Sequence, residues 1–186
     1  SSAASDVYKR QSQGGAILKD TRGYIWFGTQ SGLCRFDGFR MKTFYYINTD
    51  DKSLPNNSVD ELQQDYGGNI WVHTSVGYCI YKYDEEQFER KPEEWLKNIH
   101  VQGPPYKLLI DKDKNMWIAV YGQGLYYHNA KTKNTYLFKF TKKAQPGCLK
   151  EGNISKITEV DGDALITYGD GTICRVNGQK QKVLWY

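Results

Sequence analysis

The segment DTRGYIWFGTQSGLCRFD, residues 20–37, decides the reading of this chain, because it returns twice in recognisable form. DYGGNIWVHTSVGYCIYKYD begins at Asp65, and DKDKNMWIAVYGQGLYYH begins at Asp111. In each copy a tryptophan follows the aspartate by six residues, and Trp26, Trp71 and Trp117 lie 45 and 46 residues apart. A decayed fourth copy, EVDGDALITYGDGTICRV, carries Leu165 in the tryptophan position, 48 residues beyond Trp117. There Glu159 is expected to replace the aspartate, and Gly162 matches Gly23 and Gly68. A fixed period of this length marks a repeat architecture in which each copy is one supersecondary unit.

Within a copy the residues read as strands separated by turns. In the second, 59–64 is extended, and Asp65-Tyr66-Gly67-Gly68-Asn69 is rich in residues that tolerate positive φ. The β-branched and aromatic run 70–74 suits a strand, 78–83 alternates as a third, and 87–91 follows as a fourth. Four antiparallel strands in about 45 residues match one propeller blade. The chain is therefore expected to be all-β, a β-propeller fragment of about four four-stranded antiparallel blades forming a partial ring. The blades are placed at about 13–47, 57–91, 104–140 and 152–186, with 1–12 a leader or closing strand. The only competing helix is the short PEEWLKN stretch, 92–98, between two blades.

The repeat accounts for its own residues. Asp20, Asp65 and Asp111 are expected to accept turn amides and lock the hairpin. The glycine three residues before the tryptophan supplies a left-handed conformation. Trp26, Trp71 and Trp117 are large enough to fill the space between neighbouring sheets. All six are read as structural.

Composition agrees with many short strands. Of the 186 residues 15% are aromatic, led by 15 Tyr, and Gly (18) outnumbers Pro (5). The mean hydropathy is −0.69. A net charge of +4, spread along the chain without a basic run, argues against a nucleic-acid partner. No run of 18 apolar residues occurs, so no membrane span is expected in this segment. The start, SSAASDVYKR, is compatible with a signal peptide already removed. Cys34, Cys79, Cys148 and Cys174 form no CxxC or Cys/His metal spacing. Cys34 and Cys79 hold equivalent places in successive copies, too far apart for a disulfide, and free thiols are expected.

The pattern D-x-x-G-x-I-W-x-G-T-x-x-G-L-x-R-[FY]-D resembles the two-component-regulator propeller repeat. The first copy carries it at Asp20, Gly23, Ile25, Trp26, Gly28, Thr29, Gly32, Leu33, Arg35, Phe36 and Asp37. The following link, with Ser53-Leu54-Pro55-Asn56-Asn57, is similar to that between the first two blades in this family. The resemblance runs from about residue 13 to the end. It is strong in the first two copies, weaker in the third, where Ala119 and Val120 replace Gly-Thr, and weakest in the fourth. It implies the periplasmic sensor region of a hybrid two-component system histidine kinase of the Bacteroidetes. In such chains two propellers precede an immunoglobulin-like domain, a membrane span, a kinase, a receiver and a DNA-binding domain. The implied role is sensing glycan fragments to control polysaccharide-utilisation genes through a phosphorelay. The implied partners are an oligosaccharide, the remaining blades of the parent chain and a second copy in a homodimer.

Chemistry of other kinds finds little support. His73, His100 and His128 share no metal spacing, and no nucleophile elbow, Walker loop or dinucleotide fingerprint is present. No catalytic residue, metal or cofactor is assigned, and the segment is read as no enzyme. Loops between second and third strands, together with links between blades, should emerge on one face. There Trp95 and Tyr121 are the candidate stacking groups for a sugar, and Gln30, Gln123 and Asp170 the polar ones. Two rivals remain: a protein-interaction propeller, and a propeller lyase. The lyase would need acidic, His or Tyr groups converging on the axis, of which the first strands (16–19, 59–64, 107–110 and 154–158) offer few.

Overall fold

The computed structural model describes residues 16–143 and 145–186. The leader or closing strand expected in 1–12 lies outside them, as do residues 13–15 of the first expected blade. Four antiparallel meanders follow one another among the described residues. The first sheet is β1 (Ile17–Lys19), β2 (Ile25–Thr29), β3 (Gly32–Phe36) and β4 (Met41–Phe44). The second is β5 (Val59–Gln64), β6 (Ile70–Thr74), β7 (Gly77–Lys82) and β8 (Gln87–Glu89). The third is β9 (Pro105–Ile110), β10 (Met116–Val120), β11 (Gly124–His128) and β12 (Thr135–Thr141). A two-residue strand, β13 (Leu149–Lys150), adds to β12 in parallel, so this sheet has five strands where four are expected. The fourth is β14 (Ile154–Val160), β15 (Asp163–Tyr168), β16 (Ile173–Asn177) and β17 (Lys182–Trp185). The helix expected over 92–98 is shorter: α1 (Pro92–Leu96) gives way to a 3₁₀ turn, Lys97–Ile99.

The chain divides into two compact units, 1–91 and 92–186, each holding two sheets. In the first, Trp26 is fully buried and leaves the first sheet for the second, its ring centroid 5.0 Å from that of Tyr81. Phe44, Tyr83 and Phe88 complete an aromatic layer around Tyr81. In the second unit Trp117 joins Leu125, Tyr127 and Phe138 of its own sheet to Ala164, Ile166 and Val176 of the next. Every residue of β10 and β11 is buried.

The conserved spacing within the repeat has a direct geometric cause. One carboxylate oxygen of Asp20 accepts the backbone N–H groups of Arg22 and Tyr24, both at 2.9 Å. The other accepts the indole N–H of Trp26 at 2.8 Å. Asp65 and Trp71 repeat the bond at 2.9 Å, and Asp111 and Trp117 at 3.3 Å. The aspartate thus ties the turn and the buried indole to a single side chain. Gly23 and Gly68 take φ of +92° and +89° in that turn, and in the third copy Lys114 takes +67°.

The fourth copy is built differently, and the expectation for Glu159 needs correction. Register places Glu159 opposite Ala164, as Gln64 stands opposite Ile70, so Glu159 holds the place of Gln64 and not of the aspartate. The intervening turn is a tight Asp161-Gly162 hairpin with φ of 48° and 83°, the geometry that favours Asp-Gly. Gln64 and Glu159 do the same work between sheets. Gln64 Oε1 accepts the N–H of Thr21 at 3.0 Å, and Glu159 Oε2 accepts that of Lys112 at 3.1 Å. With no tryptophan in the fourth copy there is no indole for an aspartate to hold.

Candidate functional site

Three nominated residues share one end of the second unit. Tyr121 stands on the β10–β11 loop, 68% exposed, with its ring stacked on Tyr106 at 3.9 Å between centroids. Tyr106 sits where β9 loses register with β10, a bulge that re-aims its side chain. Its hydroxyl accepts the N–H of Ile154 at 3.1 Å, anchoring the stack to the fourth sheet. Gln123, on the same loop, donates from Nε2 to the carbonyl of Gln102 at 2.7 Å and accepts from the Tyr126 hydroxyl through Oε1.

Asp170 lies on the equivalent β15–β16 loop. Its Oδ2 meets Lys150 Nζ at 2.9 Å, and its Oδ1 accepts the N–H of Thr172 at 2.9 Å. The hydrogen bond from Lys150 chiefly holds this exposed carboxyl far below the usual carboxylate range. Beneath it Tyr168 is buried and donates to the carbonyl of Lys150 at 2.8 Å. Burial pushes its phenol well above the ordinary value. This end of the unit thus carries an exposed aromatic ring and, on its loops, fixed amide, ammonium and carboxylate groups.

Of the other two nominated residues, Gln30 lies on the β2–β3 loop, the equivalent loop of its own blade, and Trp95 on α1. Gln30 belongs to the first unit, where it lines a cavity of about 400 Å³ with Tyr46 and the link 55–58. Its Oε1 accepts from the hydroxyl of Ser58 at 3.4 Å. Trp95 is half-buried on α1, flanked by the buried Pro92 and Leu96.

Sequence reasoning missed Tyr106, because a bulge is a property of register and leaves no motif. The same bulge recurs at Asp60 in β5 and Ser155 in β14. At Asp60 it brings a carboxylate to His73, with Nδ1 and Oδ1 2.6 Å apart. Tyr78 packs its ring 4.6 Å from that of His73 and donates to Glu61 Oε2 at 2.7 Å. Of these acidic, imidazole and phenol groups only Asp60 and Glu61 lie on the first strand, and the second sheet pairs them with His73 and Tyr78. Among the described residues no three His, Cys, Asp or Glu side chains are grouped to hold a metal ion. Cys79 and Cys174 are buried free thiols, and burial pushes Cys174 up to about 12.

Comparison with known proteins places this geometry. No protein-family profile matches the chain. The extracellular domain assigned to the hybrid two component system BT3049 of B. thetaiotaomicron superposes with a TM-score of 0.62 at 22% identity, over 95% of this chain and 25% of that one. That of BT4673 from the same organism gives 0.63 at 16% identity, over 92% and 23%. The chain is a segment of β-propeller. Its four sheets are blades, and its Asp–Trp pair recurs in the first three. Among curated proteins, Histidine kinase P4 of Formosa agariphila is 33% identical over 98 residues, which is 48% of this chain and 7% of the relative. The propeller segment thus spans about a quarter of the solved domains and a far smaller share of the kinase. None of its helices among the described residues is long and apolar enough to cross a membrane.

Proposed function

We propose that this propeller segment belongs to the periplasmic sensor region of a hybrid two-component histidine kinase, is itself non-catalytic, and contributes to binding glycan fragments. The observation that carries the reading is the 33% identity to a histidine kinase across 48% of the chain, in a fold like that of extracellular domains of such systems. In this reading the kinase, receiver and gene-regulatory parts lie elsewhere in the parent protein. Ligand binding shifts an equilibrium between dimer arrangements, and a phosphorelay carries the change to polysaccharide-utilisation genes.

The Tyr106–Tyr121 stack supports a sugar-binding role. An exposed ring held flat by a second ring offers a rigid platform for a pyranose face at little entropic cost. Gln123, Lys150 and Asp170, held in place by their neighbours, present polar groups at the same end of the unit. Trp95 and Gln30 are kept as outlying contacts.

The test is a thermal-shift screen of the full-length protein, or its complete extracytoplasmic region, against neutral and charged oligosaccharides. Ligand at about a hundredfold excess over Kd stabilises the folded state by about 2.7 kcal/mol. A shift with one glycan class that disappears in Tyr121→Ala supports the reading, since the exposed Tyr121 leaves the core untouched. No shift with any glycan in a folded protein sinks it and favours a protein-interaction propeller.

A further inference from the structure

A cavity of the second unit lies at the opposite end of its blades from the Tyr121 loop. It measures about 690 Å³, within the range of about 300–1,000 Å³ typical of small-molecule sites. Three turns build it: β9–β10 with Asn115, β11–β12 with Asn129 and Asn134, and β16–β17 with Gln179 and Gln181. Tyr127 and Tyr136 line it, and Gly178 packs against the buried Tyr127 ring, where an added Cβ would come within 2.5 Å of it.

The chemistry of the lining selects a class of ligand. Five of the twelve lining residues are amides, and an amide offers two donors and an acceptor from one planar group. Several are already fixed. Asn129 Oδ1 accepts the N–H groups of Lys131 and Thr132, and its Nδ2 donates to the Tyr127 hydroxyl at 3.1 Å. Asn115 commits Oδ1 to the N–H of Ala130 at 2.9 Å. The exposed side-chain amides of Asn134 and Gln181 bond to nothing among the described residues. Charge is nearly balanced, with Asp113 and Lys131 the two charged lining residues.

A smaller cavity of about 220 Å³ shares Asn115, Tyr127 and Gln179 and extends the cleft toward Asp161 and Asp163. There Asp163 is paired with Arg175 at 2.7 Å, and Asp161 adds a further carboxylate. The cleft therefore offers paired donors and acceptors from its amides and no cationic cluster. Hydroxyl groups, each both donor and acceptor, match such a lining.

We infer that this cleft is a binding site for a short neutral oligosaccharide, separate from the Tyr121 platform. The inference rests on the glycan-sensing reading for its ligand class but not for its location. It is tested by titration calorimetry on the full-length protein with neutral cello-, xylo-, manno- and laminari-oligosaccharides, using wild type, the double variant Asn134→Ala/Gln181→Ala, and Tyr121→Ala. Both rim amides are exposed, so the double variant keeps the core. The expected result is a neutral oligosaccharide whose Kd rises about tenfold or more in the double variant and by less than about twofold in Tyr121→Ala. Wild-type affinity of the double variant for every sugar overturns the inference. If the same sugar is lost in Tyr121→Ala, the sensor reading survives that failure. Absence of neutral-sugar binding by wild type also overturns it, while binding of a charged glycan then keeps the sensor reading alive.

Discussion

Asp65 shows how one side chain does two jobs that its nearest isostere cannot. Its Oδ1 accepts the N–H of Asn69 at 3.0 Å and its Oδ2 accepts the indole N–H of Trp71 at 2.9 Å. Both oxygens face donors, so an asparagine must aim its NH₂ at one of them. Asp65→Asn is expected to cost about 1–3 kcal/mol in denaturant unfolding. Burial also raises the Asp65 pKa above its ordinary value, against the lowering by its hydrogen bonds. A raised acid binds its proton more tightly in the folded state, so its contribution is greatest below the unfolded pKa and is lost as pH rises through the folded one. The stability gap between wild type and Asp65→Asn should therefore widen as pH falls from neutral to below about 3.9. A gap that narrows over that range would show that hydrogen bonding outweighs burial. The fully buried tryptophans are a separate matter of volume, and truncation to alanine is expected to cost about 3–5 kcal/mol.

At the scale of elements, neighbouring blades are stitched by a side chain from the first strand of one to the hairpin turn of the blade before it. Gln64 makes this stitch completely. Its Oε1 accepts from Thr21 N–H, and its Nε2 donates to Thr21 Oγ1 at 3.1 Å and to the Gly68 carbonyl at 3.2 Å. Glu159 makes half of it: Oε2 is used, but Oε1 is buried without a hydrogen-bond partner. An amide at this position keeps an acceptor for Lys112 N–H and removes a charge of which one oxygen is buried without a partner. Glu159→Gln is thus expected to raise stability at neutral pH by about 1 kcal/mol, read as a higher denaturation midpoint at unchanged slope. A lower midpoint would mean that the carboxylate charge at this turn matters more than the unmet acceptor.

For the whole molecule, burial differs sharply from strand to strand. β10 and β11 are buried along their full length, whereas β4 and β17 leave half of their residues exposed. Backbone opening is cheapest where few apolar contacts must break. Hydrogen exchange should therefore be slowest in β10 and β11 and fastest in β4 and β17. Uniform protection across a blade would argue that each one opens as a single unit. The same contrast explains why candidate sites gather at blade ends, where loops are free to vary over a rigid scaffold.

The period, the strands and the Asp–Trp spacing were legible in the chain because they are local: alternation, turn residues and a six-residue interval all act within one hairpin. Gln123, Tyr121 and Asp170 could be placed on one end of the blades for the same reason, since strand order alone sends those loops the same way. What the sequence could not decide depended on register and on neighbours. The true place of Glu159 turns on a hairpin one residue shorter than its counterparts, which is visible only once Leu165 is paired with Thr158. Tyr106 and Asp60 acquire their partners through bulges, and a bulge is a mismatch between two strands that neither strand encodes alone. The cleft lined by Tyr127 is further removed still. It exists because turns from two blades leave a space that no side chain fills, and only tertiary packing brings those distant residues together.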